Sequence, residues 1–213
     1  MMLRVVTIER EFGSGGGKIA KLLAERLGWK LWDQLLTSEI ARQAQCDRAE
    51  VERREERMDP LYYRLLKSFL RGSFEGSLNV HRLKLLDADA IFRLTERIVR
   101  EAATEGNSVI VGRGSAFFLE NRRDAFHAFL YAPYEDKIRR VAESGTDPAE
   151  AIRLVDTVDR ERADFIKKYF DKVWPCRTLY HLMINSQIGD EAVVQTILNG
   201  METLQKQPIQ FPA

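Results

Sequence analysis

The sequence predicts one α/β domain built on a parallel sheet, and three observations carry that expectation. Residues 3–8 (LRVVTI) form a short run rich in β-branched side chains that closes on a glycine-rich loop. Residues 18–27 then place Ile19, Leu22, Leu23 and Leu27 at helical spacing, and Gly28 follows as a stop signal. The apolar-run-then-helix order returns at 125–131 (AFHAFLY), and 108–111 (SVIV) is a further strand. Strand, glycine loop and helix in that order are the first half of a parallel βαβ unit. A chain of 213 residues suits one such domain.

The remaining elements follow in order. Residues 29–32 give a short second strand, and nearly everything from 37 to about 105 reads as helix, broken at Asp59-Pro60 and across 71–77. The strand at 108–111 ends in Gly112-Arg113-Gly114, and the strand at 125–131 leads through Ala132-Pro133 into a helix over 134–142. Residues 143–177 are polar, helical and dense in both charge signs. A last strand spans 179–185 (LYHLMIN), a last helix runs from 190 to about 204, and QKQPIQFPA is a loose tail. The single domain is thus expected to have a core of residues 1–32, 107–142 and 179–213. It carries a helical insert over 33–106 and a second helical excursion over 143–178.

Composition excludes several classes. Hydrophobic residues make up 45% and charged residues 31%, an ordinary globular balance, and a net charge of +1 argues against a nucleic-acid coat protein. No apolar run approaches the roughly 20 residues that span a bilayer, and the N-terminus lacks the sections of a secretory signal. A cytoplasmic location is expected. Cys46 and Cys176 are far apart and read as unpaired structural thiols. His81, His127 and His181 are isolated, the last two inside apolar strand runs, so no protein-held metal site is expected. Leu61, Leu65, Leu66, Phe69 and Leu70 form a helical packing stripe, with a homodimer surface as the alternative.

The loop Gly13-Ser14-Gly15-Gly16-Gly17-Lys18 has the composition of a phosphate cradle but misses the P-loop pattern G-x-x-x-x-G-K-[ST] in either register. Aligning Gly17-Lys18 with the motif's Gly-Lys puts Phe12 at the first glycine and Ile19 at the hydroxyl. Aligning Gly15 with the final glycine puts Arg10 first, Gly16 at the lysine and Gly17 at the hydroxyl.

The stretch GSGGGKIAKLLAERLGW resembles the first segment of bacterial cytidylate kinases, roughly GSGKGTVAKxLAxxLG, through Gly13, Ser14, Gly15, Ala20, Lys21, Leu23, Ala24, Leu27 and Gly28. That resemblance selects the second register, with Gly16 at the family's lysine and Lys18 at its threonine. R-E-F-G-S-G-G together with the later V-G-R-G is most similar to a divergent subgroup, the cytidylate kinase-like proteins. The resemblance implies a P-loop NTPase fold in which 33–106 binds the acceptor and 143–178 is a lid. It also implies γ-phosphoryl transfer from ATP, with nucleotide-borne Mg²⁺, to a nucleoside monophosphate of the CMP-like, pyrimidine class.

Residue roles follow from the resemblance. The backbone of Gly13, Ser14, Gly15, Gly16 and Gly17 would cradle phosphate, and Lys18 could return the missing charge from the first helical turn, or simply be solvated. Arg113 matches the family's acceptor-phosphate arginine, and its flanking acids are absent. Arg160 and Arg162 resemble lid arginines that neutralise the transferring group, although salt bridges such as Asp159–Arg162 explain their spacing equally. Asp33 matches an acceptor-binding aspartate or caps a helix, and Arg42 is a further acceptor contact. Glu9 and Glu11 are candidate cation holders or solvated carboxylates. Two other outcomes stay open: a nucleotide sensor that lost catalysis, and a kinase for a different small acceptor.

Overall fold

The computed structural model describes residues 2–33, 35–36, 38–40, 42 and 88–206. In chain order these give β1 (Val5–Arg10), α1 (Gly16–Leu27), β2 (Lys30–Trp32), α2 (Ala88–Glu105), β3 (Ser108–Val111), α3 (Ser115–Phe118) and β4 (Ala125–Tyr131). There follow α4 (Tyr134–Glu143), α5 (Pro148–Phe170), β5 (Leu182–Asn185), a 3-10 turn (Ser186–Ile188) and α6 (Asp190–Lys206). The sheet order is β2-β3-β1-β4-β5, with every neighbour parallel.

Strand alternation sorts the core into two layers. Val6 and Ile8 of β1, with Phe126, Ala128 and Leu130 of β4, pack on Ile19 and Leu23 of α1 and Val193, Val194 and Ile197 of α6. Val5, Ile110 and Phe129 point the other way, onto Ile91, Ile98 and Val99 of α2, Phe117 of α3 and Phe165 of α5. Both faces are covered, so all six residues of β1 are buried.

β1 runs two residues beyond the expected 3–8 span, because β4 continues alongside it and pairs Glu9 with Phe129 and Arg10 with Leu130. Two charged residues therefore end the central strand inside the fold. The last strand is shorter than expected, Leu182–Asn185, while Tyr180 packs in the core just before it. The long helix of the 143–178 stretch is Pro148–Phe170, started by Asp147, whose carboxylate accepts the Ala149 and Glu150 N–H groups. Its residues Ala151, Leu154, Val155 and Val158 pack on Val141 of α4 and on Phe12 of the glycine loop. That contact seats α5 directly against the loop after β1.

Within the stretch read as an insert, α2 packs on β3 and α3. The breaks at 59–60 and 71–77, the 61–70 stripe, Cys46 and His81 lie outside the described residues, as does the tail from 207. Cys176 is a free thiol. Thr7 Oγ1 and His127 Nδ1 are hydrogen-bonded at 2.7 Å within the sheet, and His181 Nδ1 accepts the His127 N–H. Both histidines are thus engaged inside the fold.

Candidate active site

Ligands of open parallel sheets bind beyond the carboxyl ends of the strands, and two loops meet there. The glycine loop follows β1, and the Gly112-Arg113-Gly114 turn follows β3, its hydrogen-bonded neighbour. A cavity of about 440 Å³ opens on the first loop, lined by residues including Arg10, Gly13, Gly15, Gly16, Gly17, Lys18, Arg140, Arg162 and Asp190. That volume suits a small-molecule ligand.

The loop is held from outside. Gly13 and Gly15 adopt φ of 76° and 80°, left-handed values that favour glycine. The Ser14 carbonyl accepts from Arg140 Nη1 at 2.6 Å and from Ser186 Oγ at 2.7 Å, while the Ser14 hydroxyl donates back to the Glu11 carbonyl at 2.8 Å. Phe12 N–H donates to Asp159 Oδ1 at 2.8 Å, and Arg162 donates to the Arg10 carbonyl at 2.8 Å and to Asp159 at 3.0 Å. Lys137 donates to Glu11 Oε2 at 3.0 Å. Asp159 and Arg162, the pair read from helical spacing, therefore also dock α5 onto the loop.

The second turn is strained. Gly112, Arg113 and Gly114 all have positive φ, near 61°, 61° and 68°. For arginine that conformation costs about 1–2 kcal/mol, and it carries a buried guanidinium. Burial and the nearby Arg10 push the Arg113 pKa down to about 9, against the pull of Asp33, which is itself buried. Burial and Arg10 likewise lower Arg162 to about 10. Burial raises the Glu9 carboxyl against Arg10, Arg162 and Arg113, and the Ala116 N–H donates to it. Three guanidiniums thus lie within electrostatic reach of one another, countered in part by carboxylates. That arrangement suits a ligand bearing several negative oxygens.

The expected site residues divide. Gly13, Gly15, Gly16, Gly17, Lys18 and Arg162 line the cavity, and Ser14 holds the loop through its carbonyl. Asp33, just past β2, and Arg113, in the turn after β3, are both buried and attract each other electrostatically. Lys18 is 71% exposed and paired with Asp190 Oδ2 at 2.8 Å. Arg160 is exposed on α5 and does not line the cavity, and Arg42 pairs at 2.6 Å with Glu39 on its own helix. Sequence reasoning missed Arg10, Arg140, Ser186 and Asp190. Of these only Arg10 entered the sequence reading, at the first position of the second P-loop register. Among the described residues no three His, Cys, Asp or Glu side chains gather as a metal site. Among them also, no helix is long and apolar enough to cross a membrane.

These features define an α/β kinase fold. Residues 5–188 match the model of the cytidylate kinase-like family, and the chain belongs to that family. No curated protein sequence matches the chain. Among solved structures it is similar to an uncharacterized protein from Eubacterium ventriosum ATCC 27560, with a TM-score of 0.67 and 22% identity over 94% of this chain and 98% of that one. Shikimate kinase from Acinetobacter baumannii, in complex with shikimate, gives 0.53 and 18% over 97% and 96%. Shikimate kinase from Aquifex aeolicus vf5 gives 0.51 and 15% over 94% and 98%.

Proposed function

We propose that this protein transfers the γ-phosphoryl group of ATP to a nucleoside monophosphate of the CMP-like class. One observation carries the reading: Arg10, Arg113 and Arg162 converge where the glycine loop and the Arg113 turn leave adjacent parallel strands. The glycine loop is the donor cradle, with Lys18 a cation at its rim. Arg113, steadied by Asp33, is assigned to the acceptor phosphate. Arg162, of the two lid arginines, is assigned to the transferring group; its anchoring to the Arg10 carbonyl supports that choice. Arg42 is left to its helix pair, although the acceptor-binding insert as a whole remains part of the proposal.

In-line transfer asks little covalent chemistry of the protein; positioning and charge neutralisation supply the rate. Closure of the 143–178 segment over the loop excludes water that would otherwise hydrolyse the donor. Mg²⁺, which the family resemblance implies, finds no hydroxyl at Gly17 or at Lys18, and the Ser14 hydroxyl is turned to Glu11. The ion would be held by the nucleotide.

The test is diphosphate formation from ATP, Mg²⁺ and a panel of nucleoside monophosphates, beside Arg113→Ala. Product from a pyrimidine monophosphate, lost in the variant, is expected. Glycine at positions 16 and 17 favours one second reading, a nucleotide sensor, whose signature is ATP binding without product from any acceptor. Product only from a non-nucleotide acceptor would redirect the substrate class.

A further inference from the structure

Gly16 stands where a P-loop carries its lysine, and another side chain fills the space that lysine needs. A Cβ built on Gly16 would lie 2.8 Å from Cγ and 3.0 Å from Cβ of Arg10. Those are stem atoms leaving the last residue of β1, not a flexible tip. The same side chain crosses to the neighbouring turn, where a Cβ on Gly112 would lie 1.8 Å from Arg10 Nη1. Arg10 is buried, yet it borders the glycine-loop cavity. Two glycines on separate loops therefore share one cause: Arg10 passes between them.

We propose that Arg10 supplies the cation that a P-loop lysine otherwise supplies, reaching the donor's β and γ oxygens from the strand side of the loop. The inference rests on the reading of the glycine loop as the donor site. It also replaces the expectation that Lys18 restores the missing charge. Lys18 is largely solvated and bound to Asp190, so water and a carboxylate screen it. Arg10 is fixed between two backbone segments, and a guanidinium grips two phosphate oxygens where an ammonium offers a point charge. Its neighbours Arg113 and Arg162 add to the same field, and their mutual repulsion falls when a polyanion enters.

A charge swap tests this. ATP and AMP are titrated calorimetrically into wild type, Arg10→Met, Gly16→Lys, the Arg10→Met/Gly16→Lys double variant and Lys18→Ala, with thermal melting as a folding check. Arg10→Met is expected to lose roughly 10- to 100-fold in ATP affinity, with AMP affinity nearly constant. Gly16→Lys alone should also weaken ATP binding, because two side chains then compete for one channel. The double variant should recover about tenfold or more over Arg10→Met, since a lysine takes the vacated channel. Lys18→Ala should cost clearly less than Arg10→Met. If Arg10→Met does not fold, the double variant decides: ATP affinity within about tenfold of wild type supports the swap, and a larger loss with AMP unchanged overturns it. Wild-type ATP affinity in Arg10→Met, or a greater loss in Lys18→Ala, overturns the assignment of Arg10 and leaves the donor site standing. Wild type that binds no nucleoside triphosphate overturns the donor site itself.

Discussion

The loops after β1 and β3 share Arg10, which crowds Gly16 in one and Gly112 in the other, and differ in what the rest of each does. In the first, the space that side chains would need is taken from outside: the Lys137 backbone lies against Gly13, Arg140 against Gly15 and Arg10 against Gly16. In the second, a non-glycine residue is kept in the left-handed region between two glycines, and that residue is Arg113. The first loop is packed from outside, and its glycines leave stretches of bare backbone along the cavity. The second is a strained turn that aims one guanidinium. A donor that presents a chain of phosphates suits the first, and a single acceptor phosphate suits the second.

The first loop is most sensitive at Gly13. A Cβ there would meet the Lys137 carbonyl oxygen at 2.8 Å and its Cα at 3.0 Å, backbone atoms that cannot swing away. Gly13→Ala should cost about 2–4 kcal/mol in urea unfolding. Gly28→Ala, at a similar φ of 64° but with open space around it, should cost only about 1 kcal/mol. Equal losses would show that conformation, not packing, governs the first loop.

At the second turn, Arg113→Lys keeps the charge and removes the fork. It should lower kcat/KM roughly 100-fold in the coupled transfer assay, since an ammonium cannot reproduce two parallel bonds to phosphate. Near-normal turnover would mean that the turn aims a charge and nothing more specific. Arg140→Met should weaken ATP binding about tenfold with little change in Tm, because the Ser14 carbonyl loses one of its two donors and Ser186 keeps the other. Unchanged ATP affinity would free the loop from that clamp.

The smallest effect serves as background to both loops. His127 lies within β4, buried, and burial with His181 nearby lowers its pKa to about 3. The folded protein thus refuses a proton that the unfolded chain accepts below its ordinary value of 6.5. This contribution is present above that value and is lost as pH falls toward the folded pKa. Between pH 7 and 6 it amounts to about 0.7 kcal/mol. Urea unfolding at the two pH values should show that difference between wild type and His127→Gln, and parallel slopes would contradict it.

Much of the frame was legible because parallel strands covered on both faces read as unbroken apolar runs, as at 108–111 and 125–131. The glycine loop declared itself by composition, Arg113 by its place after a strand, and Asp159–Arg162 by helical spacing. The rest is tertiary. Arg140 and Ser186 reach Ser14 across 126 and 172 residues, and no local pattern announces either. Lys18 reads from sequence as either a displaced cation or a solvated residue, and its partner Asp190, at the start of a different helix, is not announced by any local pattern. Arg10 was hidden by the rule that charges belong outside, and β1 carries it inside because β4 pairs with the strand to its last residue.

Calorimetric titration of ATP and CMP, separately, into wild type, Arg113→Gln and Arg140→Met tests the division of labour most directly. Two distinct losses are predicted: Arg113→Gln weakens CMP and largely spares ATP, while Arg140→Met weakens ATP and largely spares CMP. If both substitutions weaken the same ligand alike, or wild type binds neither, the two loops do not divide donor from acceptor.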